Sequence, residues 1–355
     1  MARIGLMGCG VVADYGHLPA IVSTPGLELA ALYDPEEAHA ERESRKFGDV
    51  PFFCDSKAFF DQKLDAVVVA SSAGAHLVNV LQAAKSGVHV LCEKPLATTD
   101  ADAMRMIEAM EAAGKCLFTA FVYRFSPVSL QIKKWVEEGV VGEIRSLRLI
   151  YDWDLHGQWE EGPDEKWMES PRWRGRMLEG GPMVDCGVHQ IDLARWWLGD
   201  EVASFASAGA WVADYAAPDH VYVHMEHTRG AHTMVEMSFT YGHTAAQPSP
   251  IFTYDLIGTG GVIRYDRHGW LLESRNGQGT LTVPGASEKN FPGMYAELAK
   301  FLLTGDPGHL PAARDGEAAI RIARAATDQL IERGRPNTAA AAGSGRPGRR
   351  PASPT

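Results

Sequence analysis

The sequence predicts an α/β chain, with an N-terminal doubly wound parallel-sheet domain followed by an α+β domain whose sheet is open and largely antiparallel. Three observations carry this expectation. From Arg3 to about Phe121, short apolar runs alternate with helical patterns. Runs such as Asp65-Ala66-Val67-Val68-Val69-Ala70 lack polar alternation, as strands covered by helices on both faces do. After about Tyr123 the rhythm changes to period-two alternation broken by turn signals.

Residues 4–7, 29–33, 66–70, 89–92 and 116–121 read as the strands of the first domain, with helices between them. A helix over about 127–138 opens the second domain, ahead of a segment dense in tryptophan and charge. Residues 219–228 and 231–240 flank Arg229-Gly230 as a hairpin, and 252–257 and 261–265 pair around Gly258-Thr259-Gly260. Helices return at 294–303 and 315–333, the second carrying Ala318, Ile322, Ala325, Ala326 and Leu330 at helical spacing. We expect domains at 1–122 and 123–335, with the terminal helix able to pack back on the first. Residues 336–355 form an Ala/Gly/Pro/Arg/Ser tract without a large apolar side chain, and read as a disordered tail.

The 355 residues are 45% hydrophobic and 22% charged, a globular composition that excludes wholesale disorder. No apolar run approaches the ~18 residues of a spanning helix, so no membrane partner is expected. A net charge of −11 repels a phosphate backbone and argues against nucleic acid. Met1-Ala2-Arg3 runs straight into a strand-like segment without a secretory signal, which predicts a cytoplasmic protein. The five cysteines (Cys9, Cys54, Cys92, Cys116, Cys186) are scattered singly and read as buried free thiols, with no metal motif.

The first strand runs into Gly8-Cys9-Gly10-Val11-Val12-Ala13, a G-x-G-x-x-A turn. Its first glycine allows the tight turn, its second lets a pyrophosphate approach the backbone, and its small third residue lets helix and strand pack. A dinucleotide site is therefore expected here, with Gly8, Gly10, Val11 and Val12 as contacts. Asp34, ending the second strand, suits both ribose hydroxyls and would repel a 2′-phosphate, which favours NAD over NADP; the other reading of Asp34 is a helix cap. The fifth strand ends in Cys92-Glu93-Lys94-Pro95, an ion pair at the carboxyl edge where such folds bind ligands, before a proline able to take the cis form.

On these residues the chain resembles the glucose-fructose oxidoreductase/inositol dehydrogenase (Gfo/Idh/MocA) family, whose hallmark is Glu-Lys-Pro in this place. The resemblance extends over nearly the whole chain to Arg335. It includes His76, Tyr123-Arg124-Phe125-Ser126-Pro127, Trp173-Arg174 and the block Gly180-Gly181-Pro182-Met183-Val184-Asp185-Cys186-Gly187-Val188-His189-Gln190-Ile191-Asp192. That block is similar to the family's helix bearing the catalytic Asp and His. The chain departs from the family where relatives often carry Thr-Pro-Asn, having Ser71-Ser72-Ala73-Gly74-Ala75 instead.

The resemblance implies an NAD-dependent oxidoreductase moving hydride to or from a hydroxyl-bearing carbon of a sugar, inositol or related polyol. It assigns Lys94 to the reacting oxygen, His189 to the proton and Asp185 to holding the imidazole or a neighbouring hydroxyl. Asp185 and His189, four apart, share a helix face, and a histidine titrates near neutrality. Asp192, three residues beyond His189, is the second choice for orienting it. Ser71, His76, Glu93 and Lys94 join the cofactor contacts, and Tyr123, Trp173 and Arg174 the substrate contacts. A homo-oligomer, dimer or tetramer, paired through the open sheet is also implied. Two other classes stay open: a glycosidase that oxidises and re-reduces its sugar on tightly held NAD, and a non-catalytic sensor, against which Lys94 and His189 both argue.

Two features admit plain readings as well. Trp153, Trp159, Trp167 and Trp173, with Asp152, Asp154 and His156, suit a polyhydroxylated ligand, and equally suit packing over a domain junction or a neighbouring subunit. His220, His224 and Glu226 alternate onto one strand face and are read as sheet surface, with no metal expected.

Overall fold

The computed structural model describes residues 1–335 apart from 154–158, 162–166, 170–174, 178, 243–244, 246, 248, 270 and 286–287. The expectations for Trp173, Arg174 and the 336–355 tail lie outside the described residues. The chain divides into two compact units. The first comprises residues 1–138, 191–197 and 285–322, and the second 139–190, 198–284 and the chain from Ala323.

The first unit is built on six strands: β1 (Ala2–Met7), β2 (Leu27–Tyr33), β3 (Phe52–Phe53), β4 (Ala66–Val69), β5 (His89–Cys92) and β6 (Leu117–Thr119). Their order is β3-β2-β1-β4-β5-β6 and every pairing is parallel. All four residues of β4 are buried, as their uninterrupted apolar run requires. The order reverses between β1 and β4, so a ligand crevice opens at the carboxyl ends of those strands. Ile4, Leu6, Leu32, Val68, Leu91 and Phe118 form the core, and the helix Phe291–Thr304 returns to it with Phe291, Tyr295, Leu298 and Phe301. Burial of each such side chain contributes about 1.5–3 kcal/mol.

A buried charge network joins the three stretches of chain that make this unit. Arg124, 5% exposed, donates from Nε to Asp192 Oδ2 at 2.8 Å and completes a fork through Nη2 to Asp192 Oδ1. The same Nη2 lies 3.1 Å from Asp315 Oδ2, and Arg195 Nη1 donates to Asp315 Oδ1 at 3.2 Å. Burial pushes the Asp192 carboxyl up to about 6, although Arg124 pulls the other way. Asp192 thus has both its carboxylate oxygens on Arg124.

The second unit carries β7 (Ile144–Asp152), a short pair β8 (Trp159–Glu161) and β9 (Trp167–Glu169), then β10 (Val202–Ala210), β11 (His220–His227), β12 (His232–Ser238), β13 (Ile251–Gly258), β14 (Gly261–Asp266), β15 (Leu271–Asn276) and β16 (Gly279–Pro284). Eight of them form one sheet, β10-β11-β12-β7-β13-β14-β15-β16, antiparallel throughout except for the parallel β12–β7 pair. Alternation divides its faces. Leu149, Val221, Val223, Val235, Met237, Tyr254 and Leu256 are fully buried on one side, whereas His220, Tyr222, His224 and Glu226 line the open side.

The thiols are not uniformly buried. Cys9, Cys92 and Cys186 are, but Cys54 and Cys116 are exposed. Cys54 follows the two-residue edge strand β3, and Cys116 precedes β6, outside the packed part of either strand. Among the described residues, no helix is long and apolar enough to cross a membrane.

Replacing Arg124 by Met should leave Asp192 and Asp315 facing one another without their shared cation. The expected destabilisation is about 3–5 kcal/mol, the range for removing one partner of a buried pair. Denaturant unfolding of Arg124→Met measures it, and an unchanged midpoint would show the network to be energetically idle.

Candidate active site

At the end of β1 the backbone turns through Gly8, at φ +99°, whose N–H donates to Tyr33 O at 2.8 Å. A Cβ there would fall 2.4 Å from Ser71 N, so only glycine lets the turn close against the loop after β4. At Gly10 the Cβ position meets nothing within 4 Å, leaving an open cradle at the start of a helix, beside Val11, which is 58% exposed. Backbone N–H groups at a helix start over such a cradle fit a pyrophosphate. Asp34 is held ready next to it: Oδ2 accepts from Cys9 N–H at 2.8 Å and Oδ1 from Glu36 N–H at 2.9 Å. It is therefore a carboxylate fixed by the glycine turn. The helix Glu37–Lys46 has Glu36 at its N-cap and no side-chain cap there. Two side chains flank this corner, His39 with Nδ1 3.8 Å from Asp34 Oδ1, and the Arg42 guanidinium, which donates to Cys9 O at 2.9 Å. The residues present thus fit an adenine dinucleotide.

At the carboxyl end of β5, Glu93 is spent on position. Its Oε1 accepts from His17 Nε2 at 2.9 Å, its Oε2 accepts the Lys94 N–H at 3.0 Å, and His17 Nδ1 lies 2.7 Å from the Tyr295 hydroxyl. His17 is 0% and Glu93 7% exposed. Burial pushes the Glu93 carboxyl upward, but the His17 hydrogen bond and the charges of His17, Lys94 and Lys289 outweigh it and hold the group at about 2. The Lys94-Pro95 peptide is cis. His76 is buried too; its Nε2 lies 3.0 Å from Ser71 O, and its Nδ1 3.1 Å from Pro95 O and 3.2 Å from Leu96 O. That ring ties the loop after β4 to the backbone beyond Lys94. Burial depresses its pKa, while the carbonyls of Ser71, Leu96 and Pro95 pull the other way. Ser71 Oγ accepts from Asn79 Nδ2 at 2.9 Å.

Sequence reasoning missed His17, Tyr295 and Lys289. Lys289 Nζ donates to the Tyr15 hydroxyl at 2.9 Å, and its charge is felt at both Lys94 and Tyr123. Tyr123 is buried in the 3₁₀ turn Val122–Phe125. At Gly16, beside His17, a Cβ would strike the Phe291 ring at 2.5 Å, a tertiary contact that no local pattern announces.

In the second unit, Gly180 (φ +128°) and Gly181 (φ +66°) turn the chain into the segment bearing Asp185 and His189. The turn Met183–Gly187 is π-helical and passes into the α-helix Val188–Leu198. A Cβ at Gly187 would fall 2.4 Å from Met183 Sδ and 3.2 Å from Met237 Cγ, so the turn lies close on β12. His189 is 3% exposed. Asp185 Oδ2 makes an ion pair with Arg176 Nε at 3.4 Å, a partner not anticipated.

A glycine cradle over the switch point of a parallel sheet, joined to a second unit with a broad, mainly antiparallel sheet, defines a two-unit nicotinamide oxidoreductase. The chain belongs to the Gfo/Idh/MocA family: residues 2–121 match its oxidoreductase, NAD-binding Rossmann-fold model, and residues 129–264 its C-terminal domain model. The D-glucoside 3-dehydrogenase of Escherichia coli (strain K12) is 29% identical to it over 67% of this chain and 70% of its own. The inositol 2-dehydrogenase of Acidothermus cellulolyticus is 27% identical over 96% and 94%. Among solved structures, a probable dehydrogenase from Thermotoga maritima superposes with a TM-score of 0.75, at 25% identity, over 93% of this chain and 97% of that one.

A carboxyl group held at about 2 in the fold and near 4.3 when unfolded stabilises the fold above the unfolded value, and loses that effect as pH falls through 4 toward 2. Glu93→Gln removes it, so the mutant should melt below the wild type by an amount equivalent to roughly 3 kcal/mol at neutral pH. The gap should close as pH falls toward 2. Melting curves followed by circular dichroism across pH 2–7 check this, and a gap independent of pH would refute it.

Proposed function

We propose that the protein transfers hydride between NAD and a hydroxyl-bearing carbon of a sugar, inositol or related polyol. The observation that carries this reading is the anchoring of Glu93 by His17 and Tyr295, which fixes the Lys94 backbone at the carboxyl edge of the sheet. The names of the relatives, D-glucoside 3-dehydrogenase and inositol 2-dehydrogenase, support a polyhydroxylated substrate and net oxidoreduction.

When bound, the nicotinamide supplies the hydride chemistry. The backbone from Gly8 to Val12 would hold the pyrophosphate and Asp34 the adenosine ribose hydroxyls. Lys94 donates a hydrogen bond to the reacting oxygen and favours alkoxide-like charge there. His189 takes the proton on an imidazole nitrogen, and Asp185, steadied by Arg176, orients that imidazole or a neighbouring hydroxyl. Tyr123 contributes to the substrate side. Copies of the chain are proposed to pair through the open face of the second sheet, where Tyr222 and Met234 are half-buried.

A screen of sugars and polyols for reduction of NAD identifies a substrate. On it, Lys94→Ala and His189→Ala should each lower kcat by about 10²-fold or more with little change in NADH affinity, and the double mutant should be scarcely worse than the worse single. Full activity in Lys94→Ala would defeat the assignment.

NADH should bind more tightly than NADPH, and Asp34→Ser should narrow the gap, because it relieves repulsion of a 2′-phosphate and leaves Arg42 to attract it. Fluorescence titration decides; a wild-type preference for NADPH would overturn the NAD assignment.

A further inference from the structure

Three strands deliver one metal-ligating side chain each to the same end of the open sheet face. His220 stands on β11, Glu236 on β12 and Asp152 at the last position of β7. The register explains their meeting. His220 pairs with Ser238 and Tyr222 with Glu236, while Ser238 also pairs with Asp152 on the other side. Glu236 is therefore the diagonal neighbour of both His220 and Asp152 on one face. One ligand atom from each of the three lies within 4.8 Å of the other two.

We propose that Asp152, His220 and Glu236 bind a first-row divalent transition-metal ion. Two carboxylates packed together repel one another unless a cation or a shared proton lies between them. The second observation concerns Asp152: it is 1% exposed, and its Oδ1 is fully buried with no donor among the described residues, its carboxylate facing Glu236, which is an acceptor too unless the two share a proton. A buried carboxylate oxygen in that state costs free energy that a cation would offset. The spacing also fits. His220 Nε2 and Glu236 Oε1 are 3.2 Å apart, close to the about 3.3 Å edge of a tetrahedron with metal–ligand bonds of about 2.0–2.1 Å. Asp152 would close in by a small side-chain adjustment. One imidazole and two carboxylates suit zinc or manganese better than magnesium, whose sites are built from oxygen. Three protein donors leave a fourth position for water, and the side chains of His220 and Glu236, each 16% exposed, leave a path in.

The ion would act as a clamp outside the redox chemistry. It lies on the open face, whereas the Met183–Gly187 turn packs beside Met237 on the covered face. Just beyond Asp152, Trp153 N–H donates to Ser238 O at 2.9 Å and Trp153 O accepts from Tyr241 N–H at 2.8 Å. The clamp would thus close the three-strand end from which the chain leaves the sheet. A second pair on the same face, His224 Nδ1 and His232 Nε2, stands 3.4 Å apart and provides the control.

The test uses the full chain, stripped with chelator and desalted, titrated calorimetrically with Zn²⁺ and separately with Mn²⁺, with melting temperature read in parallel. We expect one ion per chain for at least one of the two metals, together with a rise in melting temperature. Glu236→Gln and His220→Gln should weaken binding by about 10-fold or more and abolish the thermal shift, while His224→Gln/His232→Gln should keep both. Circular dichroism establishes that the variants fold, and Asp152→Asn serves as the third ligand variant where one of them does not. Binding of neither metal at tens of micromolar, or binding that survives Glu236→Gln and His220→Gln, overturns the proposal.

Discussion

The fork between Arg124 and Asp192 is the constraint from which much of the architecture follows. It lies in the interior, where the desolvation of each ion costs several kcal/mol, so it holds only because the geometry is nearly complete. Arg124 comes from the end of the doubly wound stretch, Asp192 from a short helical insertion and Asp315 from the returning C-terminal helix. No two of those stretches are adjacent in sequence. A pairing that works only when all three are present gives the first unit a definite chain path, a specificity that apolar packing alone supplies less sharply. The same helix, Val188–Leu198, carries His189 at its start.

Placement at the carboxyl edge follows a similar logic. In Glu93-Lys94-Pro95 the carboxylate is turned inward to His17 and the histidine onward to Tyr295, which fixes the backbone from which Lys94 extends. A flexible four-carbon amine is useful in catalysis when its base is fixed, and here fixation comes from buried groups on two other helical segments. Asp34 is treated in the same way, its two oxygens held by the N–H groups of Cys9 and Glu36.

The first sheet was legible because parallel strands covered on both faces are written as unbroken apolar runs, and β5 agrees with the expected 89–92 at both ends. The edge strand Phe52–Phe53 is too short to show a period. In the second sheet, β10 escaped notice because Val-Ala-Ser-Phe-Ala-Ser-Ala-Gly-Ala offers little contrast between its faces, and β15 and β16 because their burial is slight. β7 was hidden beside the tryptophan-rich segment, although it is the central strand between β12 and β13. The roles expected of Lys94, Asp185 and His189 rested on the family resemblance, whereas the glycine turn and Asp34 beside it could be read from a local motif. His17, Tyr295, Lys289 and Arg176 could not, since each acquires its meaning from a partner in another element. His220 was visible, but its neighbours Asp152 and Glu236 come from strands whose order no single stretch encodes.

Both helices that follow a paired-glycine motif open with a wide π turn, Ala13–His17 after Gly8 and Gly10, and Met183–Gly187 after Gly180 and Gly181. Such a turn holds one residue more than the α-helix around it. Removing that residue would let the helix wind regularly, and would swing everything on its upstream side by about 100° relative to everything downstream. His17 and Asp185 both lie inside these turns, so the extra residue sets the direction in which each points. A one-residue deletion that looks like a repair of the helix would therefore re-aim His17, which holds Glu93, and Asp185, which pairs with Arg176, so that helix regularity and these contacts are opposed quantities at these two places.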